Sequence, residues 1–220
     1  IAIGLAMWMG FHLNINFRSP YKADCPTDFW RRWHISLSSW LRDYLYIPLG
    51  GNRKGKVRTY VNLFLVMTIG GLWHGANIKF VIWGMLHGIY LIIDKIFTSL
   101  FGKFGKLKAL RTLITFNIVA FTWIAFRADS MNDAISIINQ IFTNFNSEHI
   151  LEYLNAYWQI LAVMAIAYII HWLPERFKNW YRGQFAIMPM WLQIIATTLI
   201  VFVLVQFSTS GLQPFIYFQF

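Results

Sequence analysis

Charge is what this chain has least of. Asp, Glu, Lys and Arg make up 13% of its 220 residues, against about 25% in soluble domains. Hydrophobic residues make up 57%. That balance excludes an ordinary soluble domain and points to a membrane protein. Cysteine is almost absent as well. Cys25 is the single one, which excludes an internal disulfide framework and a multi-cysteine zinc site. A lone thiol of this kind reads as a small packing residue rather than a nucleophile. The chain has no Gly-x-Ser-x-Gly elbow, no complete Gly-x-x-x-x-Gly-Lys-Ser/Thr phosphate loop and no His-x-x-x-His pair, so three common site signatures are missing. No metal site is expected.

Aromatic residues are abundant: 11 Trp, 20 Phe and 10 Tyr. Such numbers suit aromatic belts at two water interfaces. The net charge is +10, and nine of the 19 Lys and Arg lie between Arg18 and Arg58, ahead of an apolar stretch. A basic zone in that position reads as juxtamembrane and cytoplasmic. No groove-reading motif accompanies it, so nucleic acid is not the expected partner. The first residues show no basic segment and no small-residue cleavage site, so no secretory leader is expected.

Residues 1–17 carry no formal charge and read as the end of a span. Residues 18–28, with Pro20 and Pro26, read as a loop. Phe29, Trp33, Leu37, Trp40 and Tyr44 then follow helical spacing, interrupted by Arg31, Arg32, Ser36, Ser38, Ser39 and Arg42. A helix so patterned lies in the interface or lines a polar cavity. Pro48-Leu49-Gly50-Gly51-Asn52 ends it, and Arg53, Lys54, Lys56 and Arg58 follow. Residues 59–78 are free of formal charge and long enough for one crossing. Residues 80–93 form a shorter returning segment between Lys79 and Asp94. A basic loop over 102–111, apolar 112–126, an amphipathic stretch within 129–149, apolar 153–174, a mixed loop over 175–182 and an apolar tail with a span at 190–207 complete the chain. Placing the basic loops in the cytoplasm makes the spans alternate consistently. The expected fold is all-α: a polytopic transmembrane helical bundle with interfacial or re-entrant amphipathic helices.

Six histidines occur. His12, His149 and His171 lie near segment ends and read as interfacial or solvated. His87 reads as buried and hydrogen-bonded to a carbonyl. His34 shares one helical face with Ser38 and Arg42, and a structural polar network explains it as well as catalysis does. His74 is the sharpest case, because Trp73-His74-Gly75 sits inside the uncharged 59–78 stretch. An ionisable group there is expensive and usually serves a transport route or a reaction. Trp73 can wall a cavity, and Gly75 lets a substrate or backbone approach. Residue chemistry alone leaves catalysis, transport and structure open for His74.

Three segments together are similar to one family. They are Asp28-Phe29-Trp30-Arg31-Arg32-Trp33-His34-Ile35-Ser36-Leu37-Ser38, then Trp40-Leu41-Arg42-Asp43-Tyr44-Leu45-Tyr46-Ile47-Pro48-Leu49-Gly50-Gly51-Asn52-Arg53, and Gly70-Gly71-Leu72-Trp73-His74-Gly75-Ala76. The combination resembles the membrane-bound O-acyltransferase family, in its bacterial alginate O-acetyltransferase branch. Phe126-Arg127-Ala128-Asp129-Ser130 and Pro214-Phe215-Ile216-Tyr217-Phe218 resemble it too. Members are much longer, so residues 1–220 are expected to form the C-terminal portion of one membrane-embedded acyltransferase domain.

The resemblance implies catalytic roles for His74 and His34, without a bound cofactor. It implies transfer of an acyl group, acetyl above all, from a cytoplasmic thioester (acetyl-CoA or an acyl carrier) towards hydroxyls of an exported polysaccharide or cell-wall polymer. A bacterial plasma-membrane location and a periplasmic or extracellular transfer partner go with it. In the mechanism expected on that basis, His74 is the general base. His34, Ser38 or Arg42 polarises the carbonyl or orients His74, and Trp73 contributes a wall. Arg31, Arg32, Arg53 and Lys54 attract the donor's phosphates, although anchoring at a membrane surface also accounts for these cations. The alternatives are a transporter or channel with an intramembrane histidine, and a non-catalytic partner of a polymer-export machine.

Overall fold

The computed structural model describes residues 9–102 and 107–208, together with Ile3, Ala6 and Met7. Among them helix is the only regular secondary structure. The helices are α1 (Pro26–Arg32), α2 (Ile35–Leu41), α3 (Gly55–Leu72), α4 (Ile78–Phe101), α5 (Lys108–Arg127), α6 (Met131–Thr143), α7 (Ile150–Trp172), α8 (Glu175–Ile187) and α9 (Met190–Ser208), with a π-helical turn at Arg42–Tyr46 after α2. The expected all-α class is borne out. Among the described residues, three helical segments are long and apolar enough to cross a membrane: Ile78–Phe101, Lys108–Arg127 and Ser147–Trp172. Residues 214–218, and most of the 1–8 segment, lie outside the described residues.

The chain divides into two compact units, Ile1–His171 and Trp172–Phe220. In the second, Gln193 Nε2 donates to the carbonyls of Phe185 and Met188 at 3.1 and 2.9 Å and so fastens the turn between α8 and α9. The first unit carries both motif histidines.

Its centre is an antiparallel pair, α3 and α4, brought to backbone contact by glycine. A Cβ on Gly71 would collide with the Phe80 carbonyl and stand 3.0 Å from Gly84 Cα. A Cβ on Gly84 would collide with the Met67 carbonyl, and one on Gly88 would stand 3.1 Å from Phe64 Cα. Gly84 and Gly88 form a Gly-x-x-x-Gly pair, the pattern that lets helices meet closely where lipid supplies no hydrophobic drive. α5 packs antiparallel to α4, as the Tyr90 Oη–Thr115 Oγ1 bond of 2.9 Å and the ring contact of Phe80 with Phe126 show. Lys79 Nζ donates to Ala128 O at 2.7 Å and ties the start of α4 to the end of α5.

Against this frame α1 and α2 form a re-entrant hairpin. Arg111 Nε donates to Asp24 O at 3.2 Å, Phe29 clusters with Val119, and Trp33 meets Trp123, so α1 climbs alongside α5. α2 then descends along α3: Leu37 and Leu41 pack on Val66, and Asn62 Nδ2 donates to Leu49 O and Gly51 O at 3.3 and 3.0 Å. The tip is His34.

Four segment readings are corrected. The continuous stripe expected from Phe29 to Tyr44 is broken at His34: Phe29 and Leu37 are buried, whereas Trp40 and Tyr44 are exposed. The expected 59–78 span is instead a helix over 55–72 followed by a turn, so His74 sits at a joint between helices rather than within one. Residues 80–93 are part of a 24-residue helix that runs through Asp94 and Lys95. The 175–182 segment, expected as a loop, is the first part of α8, with Lys178 and Glu175 paired at 3.5 Å one turn apart.

Replacing Gly84 with Ala should cost about 1–3 kcal/mol, the usual range for forcing an extra methyl into a packed contact. Thermal unfolding of the purified protein in detergent measures it, and an unchanged midpoint would contradict the close approach.

Candidate functional site

The His74 turn is built from backbone up. α3 ends at Leu72, His74 N donates to Gly71 O at 3.0 Å, and Gly75 N donates to Leu72 O at 3.1 Å. Gly75 takes φ 150°, a value that favours glycine, which redirects the chain after the histidine. Asn77 Oδ1 then accepts from Lys79 N at 3.1 Å and caps α4. The His74 side chain is turned into the helix bundle and is 6% exposed. Its ring lies 5.2 Å from Trp73, 5.4 Å from Trp83, 5.2 Å from Phe126 and 6.3 Å from Phe80.

The fifth ring beside it is His34, 6.4 Å away between centroids and nearly perpendicular. His34 has φ 45° and ψ 55°, the left-handed region, as the residue preceding α2. A residue with a Cβ pays roughly 1–2 kcal/mol there. The strain is held by residues 16–18. Ile35 N donates to Asn16 O at 3.0 Å, Ser36 N and Oγ donate to Asn16 Oδ1 at 2.9 and 2.6 Å, and Arg18 N donates to Arg32 O at 2.9 Å. His34 Nδ1 is shielded from solvent and has no hydrogen-bond partner among the described residues. Trp73 stands 5.7 Å from His34 and 5.2 Å from His74, and it is half-exposed. Two imidazoles in an aromatic enclosure, one with a ring nitrogen uncommitted, can accept and pass a proton.

The other expected site residues fall elsewhere. Ser38 Oγ donates to Trp33 O at 3.2 Å, so it braces the hairpin tip. Arg42 is exposed and doubly bonded to Asp43 at 2.7 and 3.0 Å. Arg31 is exposed, and Arg32 pairs with Asp28 at 2.9 Å. Arg53 and Lys54 lie just before α3, the full 18-residue helix away from His74, about 27 Å at 1.5 Å per residue. Cys25 Sγ accepts from Asp28 N at 3.4 Å and caps α1, and burial pushes its thiol up, which suits a packing residue. His87 is buried as expected, but its partner is the Thr122 hydroxyl at 3.0 Å rather than a carbonyl. His149 is exposed beside Glu152.

The profile of the membrane-bound O-acyltransferase family matches residues 1–132, which include the hairpin, the His74 turn and the end of α5. The chain belongs to that family. The resemblance carried by its motifs is therefore borne out. The chain is similar to the protein named "Probable alginate O-acetylase AlgI" of Pseudomonas putida, 37% identical over 241 aligned residues that cover 100% of this chain and 49% of that one. A peptidoglycan O-acetyltransferase of Helicobacter pylori is 49% identical over 140 residues, 63% of this chain and 27% of that one. A teichoic acid D-alanyltransferase of Bacillus subtilis is 29% identical over 138 residues, 57% and 35% of the two chains. The chain thus spans about half the length of these relatives, or less.

Sequence reasoning found both histidines of the family motifs and missed what holds them. Asn16 carried no signal, because its role depends on a chain crossing twenty residues away. Phe80 and Trp83 carry no site signal of their own in the sequence, and Phe126 enters it only through a family-like segment. A His34→Gly variant should be more stable than His34→Ala by about 1 kcal/mol, because glycine relieves the left-handed backbone. Thermal unfolding of the two variants side by side reads this, and equal or reversed midpoints would show that no strain is stored at the tip.

Proposed function

We propose that the full protein is a membrane-bound O-acyltransferase that moves an acyl group, acetyl above all, from a cytoplasmic thioester to hydroxyls of an exported polysaccharide or cell-wall polymer. The observation that carries this reading is the meeting of His34 and His74. They lie forty positions apart in the chain, and the hairpin tip and the α3–α4 turn bring their rings to 6.4 Å. The names of the relatives support the reaction class. Two are acetyl transferases of alginate and peptidoglycan by name, and one is a D-alanyl transferase of teichoic acid.

In this reading His74 takes the proton from the acceptor hydroxyl as that oxygen attacks the thioester carbonyl. The carbonyl carbon gains the new C–O bond and loses its C–S bond, and protonated His74 returns its proton to the departing sulfur, which leaves as the free thiol. His34 orients His74 or donates towards the carbonyl oxygen, and half-exposed Trp73 forms the open wall through which the reactants arrive. Arg53 and Lys54 offer positive charge to the phosphates of coenzyme A or a carrier's phosphopantetheine, whereas Arg31 and Arg32 lie at the His34 end of α1, away from that rim. Arg42 is neutralised by its pair with Asp43, and Ser38 keeps the tip in place. The basic end of α3 faces the cytoplasm of a bacterial inner membrane, the His pair lies towards the opposite side, and a periplasmic or extracellular protein completes delivery to the polymer. Residues 1–220 are the C-terminal portion of one membrane-embedded domain.

His74→Ala in the full-length protein should lower acyl transfer about 10²–10⁴-fold, the usual contribution of a general base. Mass spectrometry of the polymer and release of free thiol from the donor measure it, with membrane insertion checked in parallel. Wild-type transfer by an inserted variant ends the proposal. The double variant Arg53→Ala, Lys54→Ala should raise the donor KM while leaving kcat near its normal value, and an unchanged KM removes those two cations from the donor site.

A further inference from the structure

Behind His74 three more ring nitrogens are buried. The rings of Trp30, Trp83 and His87 all touch: centroids are 5.7 Å apart for Trp30 and Trp83, 5.0 Å for Trp30 and His87, and 4.8 Å for Trp83 and His87. Trp83 is 1% exposed and His87 0%. Nε1 of both tryptophans and Nδ1 of His87 are shielded from solvent and have no hydrogen-bond partner among the described residues. Buried polar atoms are paired in the great majority of cases, so three orphans on one cluster of rings call for a ligand.

The tautomer of His87 follows from its other nitrogen. Nε2 lies 3.0 Å from Thr122 Oγ1, and the single hydroxyl proton of Thr122 goes to Val119 O at 2.8 Å. Thr122 Oγ1 is then an acceptor, His87 Nε2 carries the ring proton, and Nδ1 presents a lone pair. The cluster therefore offers two N–H donors and one acceptor. A water molecule has the matching valence: its oxygen accepts from both indoles, and one of its protons goes to Nδ1. Buried waters typically make about three such bonds. An anion would bring charge to rings that hold no countercharge, and the burial of Trp83 and His87 leaves no passage for a larger group.

We propose that Trp30, Trp83 and His87 bind one buried water molecule, and that through it His87 is a positioning residue for His74. The linking element is Trp83, whose ring lies 4.8 Å from His87 and 5.4 Å from His74, perpendicular to the latter. Fixing the indole N–H fixes the rotation of that ring, and hence the wall against which His74 stands. The second half of the proposal rests on the acyl-transfer reading, and the first half does not.

A structure of the full-length protein, at a resolution where other buried waters are visible, tests the water without any assay of activity. Density within about 2.7–3.2 Å of all three nitrogens is expected. No density between them, or nitrogens bonded directly to one another, overturns the site. The positioning role is read with Trp30→Phe, which removes one donor from a residue that meets His87 and Trp83. Its kcat should fall about 2- to 10-fold, the worth of one hydrogen bond, with both KM values unchanged and the midpoint of the kcat–pH profile displaced. Thr122→Val, which removes the acceptor that sets the His87 tautomer, should act in the same direction. Wild-type kcat and pH profile in either folded variant overturn the positioning role. Should the wild-type protein itself transfer no acyl group, the acyl-transfer reading fails while the density still decides the water.

Discussion

The backbone contact between α3 and α4 is the constraint on which the rest of the first unit depends. Gly71 and Gly84 let the two helices meet with no side chain between them. The turn that joins them is therefore short, and His74 has one direction in which to point. α5 completes the enclosure from the other side of α4 through Phe126 and Trp123, and Lys79 pins the two helix ends together. The re-entrant hairpin then needs only to rise as high as the turn for its tip to reach His74.

Both motif histidines sit at joints between helices, where the backbone departs from regular geometry. This arrangement separates two demands. The helices supply rigid aromatic walls, and the joints deliver ionisable groups into them without placing a polar side chain on a lipid-facing stripe. The aromatic count of the sequence, which reads first as interfacial belts, thus goes partly into this enclosure: Trp83, Phe80 and Phe126 face His74, and Trp30 and Trp83 face His87.

Much of the architecture was legible in the sequence, for reasons that also mark where legibility stops. Charge-free runs located the helices of α5 and α7, because expelling charge from hydrocarbon is the strongest pattern a membrane chain carries. The same rule misplaced two ends. It carried the first span on to residue 78, since a turn made of Trp73, His74, Gly75 and Ala76 is as uncharged as a helix. It stopped the next at Asp94, although a helix continues freely into water with its charges on. The break at His34 was hidden because one residue in a left-handed conformation scarcely disturbs a periodic stripe. α8 was hidden because its charges imitate a loop. The two histidines were recognisable from their motifs, but their meeting was not, since nothing in their spacing encodes a hairpin that returns to the same height.

One feature at the opposite end of α3 bears on how an anionic ligand would be received. Asn62 is wholly buried and holds the carbonyls of Leu49 and Gly51, and the stem of Lys54 lies against Gly50. The backbone that leads into Arg53 and Lys54 is thus fastened to α3 by a buried side chain. To that extent the entropy of ordering it belongs to folding and not to association.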